Sequence, residues 1–230
     1  MKIQFYSLTS VENAVETVEA GADLIGVVVK GGIPVPEEVS VDQARAIFHA
    51  IEGRALGIAL SLSADVDTIC NMVEEVRPHA VHLAARELST DDLIEVRSRI
   101  DKDIRIMAAI PMTGPEALEV ARERAVHSDY LLLDSIADSE TGITGVTGQT
   151  HDWSISRQVV EAVSIPVILA GGLSPENVAD AIEAVRPWGV DSYTRTNAPG
   201  DRMNKNLPLV NAFINNAQSA AERLGLLESA

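Results

Sequence analysis

Cysteine is almost missing from this 230-residue chain: Cys70 stands alone, so a disulfide framework is excluded and a reducing compartment suits the protein. Cys70 falls on the apolar spacing Val66, Ile69, Cys70, Val73 of a predicted helix and reads as core packing. Positive charge is also scarce. Lysine occurs only at Lys2, Lys30, Lys102 and Lys205, and the formal net charge is −16. That balance argues against nucleic acid and against an anionic membrane surface as partners. No apolar run approaches a membrane span, and the opening MKIQFYS lacks the apolar core of a signal peptide, so a cytoplasmic protein is expected. Aromatic residues make up 3% of the chain; Trp153 and Trp188 flank predicted helix ends and read as packing. The histidines His49, His79, His127 and His151 do not pair with Cys or carboxylates at metal-ligand spacing, so no metal is predicted. No nucleophile elbow is present either.

What the chain does contain is one grammar repeated from end to end. Strand candidates run over 3–8, 24–29, 55–62, 80–84, 104–110, 130–135, 167–170 and 190–194, each followed by an amphipathic helix. Helix starts are marked by Thr9 or Ser10, Ser40, Ser89 or Thr90, Asp152 and Asn204 or Asn206, with Pro115 and Pro175 at predicted first positions. Gly21, Pro78 and Pro187 mark helix ends. A doubly wound open sheet carries the same local pattern, but eight near-equal units without a break in composition favour closure. The fold predicted is α/β, a single (β/α)8 TIM barrel spanning residues 1–230.

In such barrels chemistry sits where strands end and βα loops begin. The seventh unit, IPVILAGGLSPENVADAIEA (165–184), runs from a buried strand through Gly171-Gly172 into a helix that Ser174 caps. Bare amides beside a helix N-terminus form an anion site, and an acidic protein that binds a phosphorylated metabolite needs such a local source of positive potential. The same glycines also suit a tight turn that needs small residues for packing. Asp134 ends the apolar strand LLLDS at the barrel mouth, where partial burial raises a carboxyl pKa and fits it to proton transfer. Its alternative is a helix cap or a partner for a buried arginine. The loop 136–150 after it is long and rich in Gly and Thr, as a flap closing over a ligand would be, and as a merely mobile loop would be.

The segments LLLDS…GVTGQTHDWS and PVILAGGLSPENVADAI…VRPWGVD, with the N-terminal LTSVENAVETVEAGADLIGVVV, resemble the phosphoribosylanthranilate isomerase family of tryptophan biosynthesis. The resemblance implies a barrel that performs an Amadori rearrangement, turning an N-ribosyl aminoaldose phosphate into the aminoketose, without a cofactor. It implies Asp134 as the acid, Gly171, Gly172 and Leu173 as the phosphate turn, and Gly145, Thr147 and Gly148 in the substrate loop. Three positions depart from the pattern. Tyr6 stands where the family carries a basic cysteine, and a phenol of pKa near 10 is a poor base at neutral pH. Glu37 falls near the arginine that holds the anthranilate carboxylate, replacing attraction by repulsion. The phosphate loop after the eighth strand becomes Tyr193-Thr194-Arg195-Thr196-Asn197, in which Thr194 and Arg195 are the expected phosphate contacts. Tyr6 or His82 is the expected catalytic base, His82 being the better by intrinsic pKa, or else a satisfied wall histidine. The expected partner is a small phosphorylated sugar derivative, and the expected assembly a monomer or homodimer. A paralogue with another phosphosugar reaction, an epimerase or lyase, and a non-catalytic phosphosugar-binding barrel are the alternatives.

Overall fold

In a computed structural model, which describes residues 1–135 and 150–226, the repeated units close into a parallel barrel. Its strands are β1 (Lys2–Phe5), β2 (Leu24–Val29), β4 (Leu56–Ser61), β5 (Ala80–Leu83), β6 (Arg105–Pro111), β7 (Tyr130–Asp134), β8 (Val167–Leu169) and β9 (Gly189–Ser192). Each pairs in parallel with the next, and β1 pairs with both β2 and β9, which closes the ring. The two-residue strand β3 (Glu38–Val39) is an addition that the Gly- and Pro-rich composition of 30–38 conceals; it pairs outside the ring with β2.

The helices are α1 (Val11–Glu19), α2 (Val41–Ala50), α3 (Val66–Val76), α4 (Thr90–Arg99), α5 (Ala117–Ala125), α6 (Trp153–Ala162), α7 (Val178–Val185) and α8 (Leu207–Arg223). Ser10, Ser40, Ser89, Asp152 and Asn206 act as the caps that their residue types suggest, with Ser40–Gln43 and Ser89–Asp92 forming reciprocal capping boxes. Two starts shift. α5 begins beyond Pro115, and α7 begins at Val178 rather than Pro175, because Ser174 spends its cap on a tight turn, accepting from the Glu176 amide at 3.2 Å. α3 and α7 both end on an arginine at positive φ, Arg77 and Arg186, just ahead of Pro78 and Pro187. β9 is also shorter than its sequence pattern: it stops at Ser192, and Thr194–Thr196 curl into a 3-10 turn.

Alternate strand residues divide the apolar side chains between two layers. Ile3, Phe5, Ile25, Val27, Leu133, Leu169 and Val190 face the helices, where Phe5 meets Phe213 of α8 edge to face at 5.5 Å. Tyr6, Leu24, Ile58, Ala80, Met107, Leu132, Ile168 and Ala170 fill the barrel itself. Cys70 is partly buried against the outer layer, as its spacing implies, and Trp188 stacks on Tyr130 at 5.5 Å. No helix among the described residues is long and apolar enough to cross a membrane.

Candidate active site

β7 delivers Asp134 from an apolar strand to the barrel mouth, which strips water from its carboxyl. Desolvation lifts it to about 7, opposed by the Ser135 amide donating to Oδ1 at 2.8 Å. A carboxyl in that range exchanges protons readily at neutral pH. Next to it, Gly171 and Gly172 take φ of +84° and +66°. A Cβ on Gly171 would lie 2.3 Å from Ser135 Oγ and 2.9 Å from His151 Nδ1, so glycine is required there for close approach as well as for backbone shape. His151 lies 3.2 Å from Ser135 Oγ and 2.7 Å from Ser156 Oγ, and burial depresses its pKa to about 4. It therefore acts as a neutral strut that ties the end of β7 to α6.

The turn after β8 is fixed from outside, leaving its amides uncommitted. Asn177 Nδ2 donates to the Gly172 carbonyl at 3.1 Å, its Oδ1 accepts from the Ser174 amide at 2.8 Å, and Ser192 Oγ donates to the Leu173 carbonyl at 2.8 Å. Among the described residues none accepts from the amides of Gly171, Gly172 or Leu173. Thr194 is partly buried and Arg195 exposed; the Glu176 carboxyl is held below its ordinary range chiefly by its hydrogen bond with Ser174, with a smaller contribution from the Arg195 charge. Lys205, buried, donates to the Tyr193 carbonyl at 2.7 Å and to Asn197 Oδ1 at 2.6 Å, pinning the segment between β9 and α8; desolvation lowers it to about 7. Among the described residues no group of three or more side chains is spaced to hold a metal.

The two candidate bases, Tyr6 and His82, are both buried and pair with each other. Tyr6 is buried inside the barrel with its ring pressed over Gly26 and its hydroxyl 2.8 Å from His82 Nδ1 on β5. Burial, then the charges of Asp191 and Asp134, push the phenol well above its ordinary value. Burial drops His82 to about 3, and its Nε2 has no partner among the described residues. The pair is a strut across the barrel. Glu37 brings a further correction: its charge is not a bare repulsion. It is buried, and it accepts from Tyr193 Oη and from Arg202 Nε, so an arginine from the segment before α8 returns a cation to that side of the mouth. Gly145, Thr147 and Gly148 lie outside the described residues.

A model of the family described as PRAI, N-(5'-phosphoribosyl)anthranilate (PRA) isomerase, matches residues 4–194. The chain belongs to this isomerase family. The N-(5'-phosphoribosyl)anthranilate isomerase of Haloarcula marismortui is 33% identical over 223 residues, covering 96% of this chain and 98% of its own. The phosphoribosylanthranilate isomerase structure from Thermotoga maritima superposes with a TM-score of 0.81 at 25% identity, over 95% of this chain and 99% of that one. A phosphoribosylanthranilate isomerase solved with reduced 1-(o-carboxyphenylamino)-1-deoxyribulose 5-phosphate has the same fold, at a TM-score of 0.77 and 23% identity, over 95% of this chain and 99% of that one.

Within the isomerase family frame, sequence reasoning missed Asp191, Gln4, Arg202, Lys205 and the part played by His151. Asp191 carried a readable signal: in WGVDS an aspartate ends an apolar strand, as Asp134 does in LLLDS. Arg202 and Gln4 are joined to Glu37 and Asp191 across long sequence separations, and Lys205 to Tyr193 and Asn197 through a loop with no regular pattern, so nothing local announces them.

Proposed function

We propose that this protein is a phosphoribosylanthranilate isomerase, converting the N-ribosyl aminoaldose phosphate to the aminoketose without a cofactor. The observation that carries the proposal is Asp134, a carboxyl poised near pKa 7 at the barrel mouth, on the strand next to a Gly-Gly turn whose amides are open. Asp134 gives its proton to the ribose ring oxygen as the C1–O bond breaks and the nitrogen lone pair closes a C=N bond. The substrate phosphate lies on the amides of Gly171, Gly172 and Leu173, with Thr194 and the Arg195 charge on its other side. Arg202, held by Glu37 and half exposed, offers a guanidinium edge to the aromatic carboxylate.

The test is the fluorescence decay of phosphoribosylanthranilate with purified protein beside an Asp134→Asn control. Turnover that drops at least about 100-fold in the control is expected for loss of a general acid. A folded wild-type protein without turnover would reject the activity. Binding of inorganic phosphate that Gly172→Ala leaves intact would reject the proposed phosphate site.

A further inference from the structure

The strand register puts a second carboxyl on the same rung as the first. Leu133 pairs with Leu169 and Leu169 with Val190, and Val190 pairs in turn with Ile3; all these side chains face the helices. The next rung, Asp134, Ala170, Asp191 and Gln4, therefore points into the barrel. Asp134 and Asp191 stand two strands apart, so their backbones are separated by about 10 Å. Between them Ala170 contributes only a methyl group. Both carboxyls thus open onto one space at the C-terminal end of the strands, and Tyr6 feels the charge of each.

Asp191 has little structural reason to be acidic. Its only hydrogen-bond donor among the described residues is Gln4 Nε2, at 3.3 Å from Oδ1. Among the described residues no Lys, Arg or His forms an ion pair with it; Lys205, though near enough to feel its charge, spends its donors on Tyr193 and Asn197. A buried carboxyl that no cation touches directly costs the fold free energy, and the more distant Lys205 charge offsets only part of it. Gln4 Oε1 is buried without a partner among the described residues, so rotation of that amide lets Gln4 serve either state, donating to the carboxylate or accepting from the acid. Desolvation and the Asp134 charge raise Asp191 to about 8.

We infer that Asp191 is the second catalytic carboxyl, the group that removes the carbon-bound proton from C2 of the ribosyl moiety. The inference rests on the isomerase reading above. The carboxyl pair enters the reaction carrying one proton, and the reactive form is the minor one in which Asp134 holds it, Asp191 being the more basic of the two. Asp134 protonates the ring oxygen as the C1–O bond breaks and C1=N forms. Asp191 then takes the C2 proton, the C2–H electrons form C1=C2, and the C=N electrons return to nitrogen. The proton on Asp191 moves to C1 as the C2 hydroxyl gives up its own, which restores Asp134. Substrate and product are isomers, and both carboxyls are regenerated.

The experiment compares wild type, Asp191→Asn, Asp191→Glu and Asp191→Ala for phosphoribosylanthranilate turnover. Binding of reduced 1-(o-carboxyphenylamino)-1-deoxyribulose 5-phosphate is followed in parallel by titration calorimetry. Asp191→Asn should lose about 100- to 10,000-fold in kcat, as removal of a general base does. Analogue affinity should change less than threefold, and formate should restore part of the turnover of Asp191→Ala. An Asp191→Asn enzyme within tenfold of wild-type kcat overturns the assignment and leaves the isomerase reading standing; a folded wild type that does not turn over removes both. If the Asn variant fails to fold, the wild-type kcat must still be bell-shaped between pH 6 and 9, and a flat profile there overturns the assignment.

Discussion

Gly26→Ala should destabilise this barrel far more than its single methyl group suggests. A Cβ at Gly26 would lie 2.0 Å from Cε1 and 2.1 Å from Cδ1 of Tyr6, well inside contact distance. The ring cannot swing away freely, because Tyr6 is buried and its hydroxyl is held 2.8 Å from His82 Nδ1. Overpacking costs about 1–3 kcal/mol. If the ring yields instead, the Tyr6–His82 hydrogen bond goes and leaves His82 with both nitrogens unpartnered in the interior, about 1–3 kcal/mol more. The expected loss is therefore about 1–3 kcal/mol if the ring holds and about 2–6 kcal/mol if it yields, in urea unfolding followed by circular dichroism. Tyr6→Phe, which keeps the ring and drops only the hydroxyl, should cost about 1–2 kcal/mol. The decisive measurement is the double-mutant cycle: in a Tyr6→Ala background the methyl at position 26 has room, so the Gly26→Ala penalty should vanish. A penalty unchanged in that background, or below about 0.5 kcal/mol in the wild type, would refute the strut.

Three other outcomes are expected. Stability should fall between pH 6.5 and 8.5. Asp134 and Asp191, raised to about 7 and about 8, stabilise the fold below their unfolded values and lose that contribution as pH climbs through the folded ones. The depressed His82 and His151 lose theirs only as pH falls below about 6.5, but Lys205, lowered to about 7, gains stability as pH rises past that value and offsets most of the carboxyl loss. Unfolding free energies from urea titration at the two pH values should differ by less than about 1 kcal/mol, and a double Asp→Asn variant at 134 and 191 should turn the fall into a rise, leaving the Lys205 contribution alone. Gly171→Ala should lower stability by about 1–3 kcal/mol and turnover with it, since its Cβ would strike Ser135 Oγ at a positive φ; unchanged activity would show that the turn tolerates displacement. Arg186→Gly should raise the unfolding midpoint by up to about 1 kcal/mol, because Arg186 holds φ of +53° at the end of α7. A loss of stability there would mean that its side chain contributes more than the strain costs.

Most of the architecture was legible because its signals are local. Apolar runs, Ser and Asp caps, and Gly or Pro stops each act within a few residues, and their repetition predicts the barrel. Local reasoning erred where one residue had two uses: Ser174 caps a tight turn rather than α7, and Thr194 leaves the strand for a 3-10 turn. The chemistry was half legible. Asp134 could be picked out from its strand, but its relation to Asp191 depends on the register of β7, β8 and β9, which no single strand encodes. Tyr6 looked like a failed base because only its own position was visible. Its meaning lies in Gly26 on one neighbouring strand and His82 across the barrel. Glu37 likewise reads as a repelling charge until Arg202, far along the chain, is seen beside it.

Closure through β1 also sets an order of events in the cell. β1 leaves the ribosome ahead of β2 and finds it soon after, but its other edge pairs with β9, where Gln4 faces Asp191 across 187 residues of sequence. At about 5–20 residues per second, that partner arrives roughly 10–40 s later. Until then an apolar strand waits with one row of amides and carbonyls open to any other chain. The ring that brings the two carboxyls into register is thus also the last thing to form, and a nascent chain is most exposed to aggregation just before it acquires its active site.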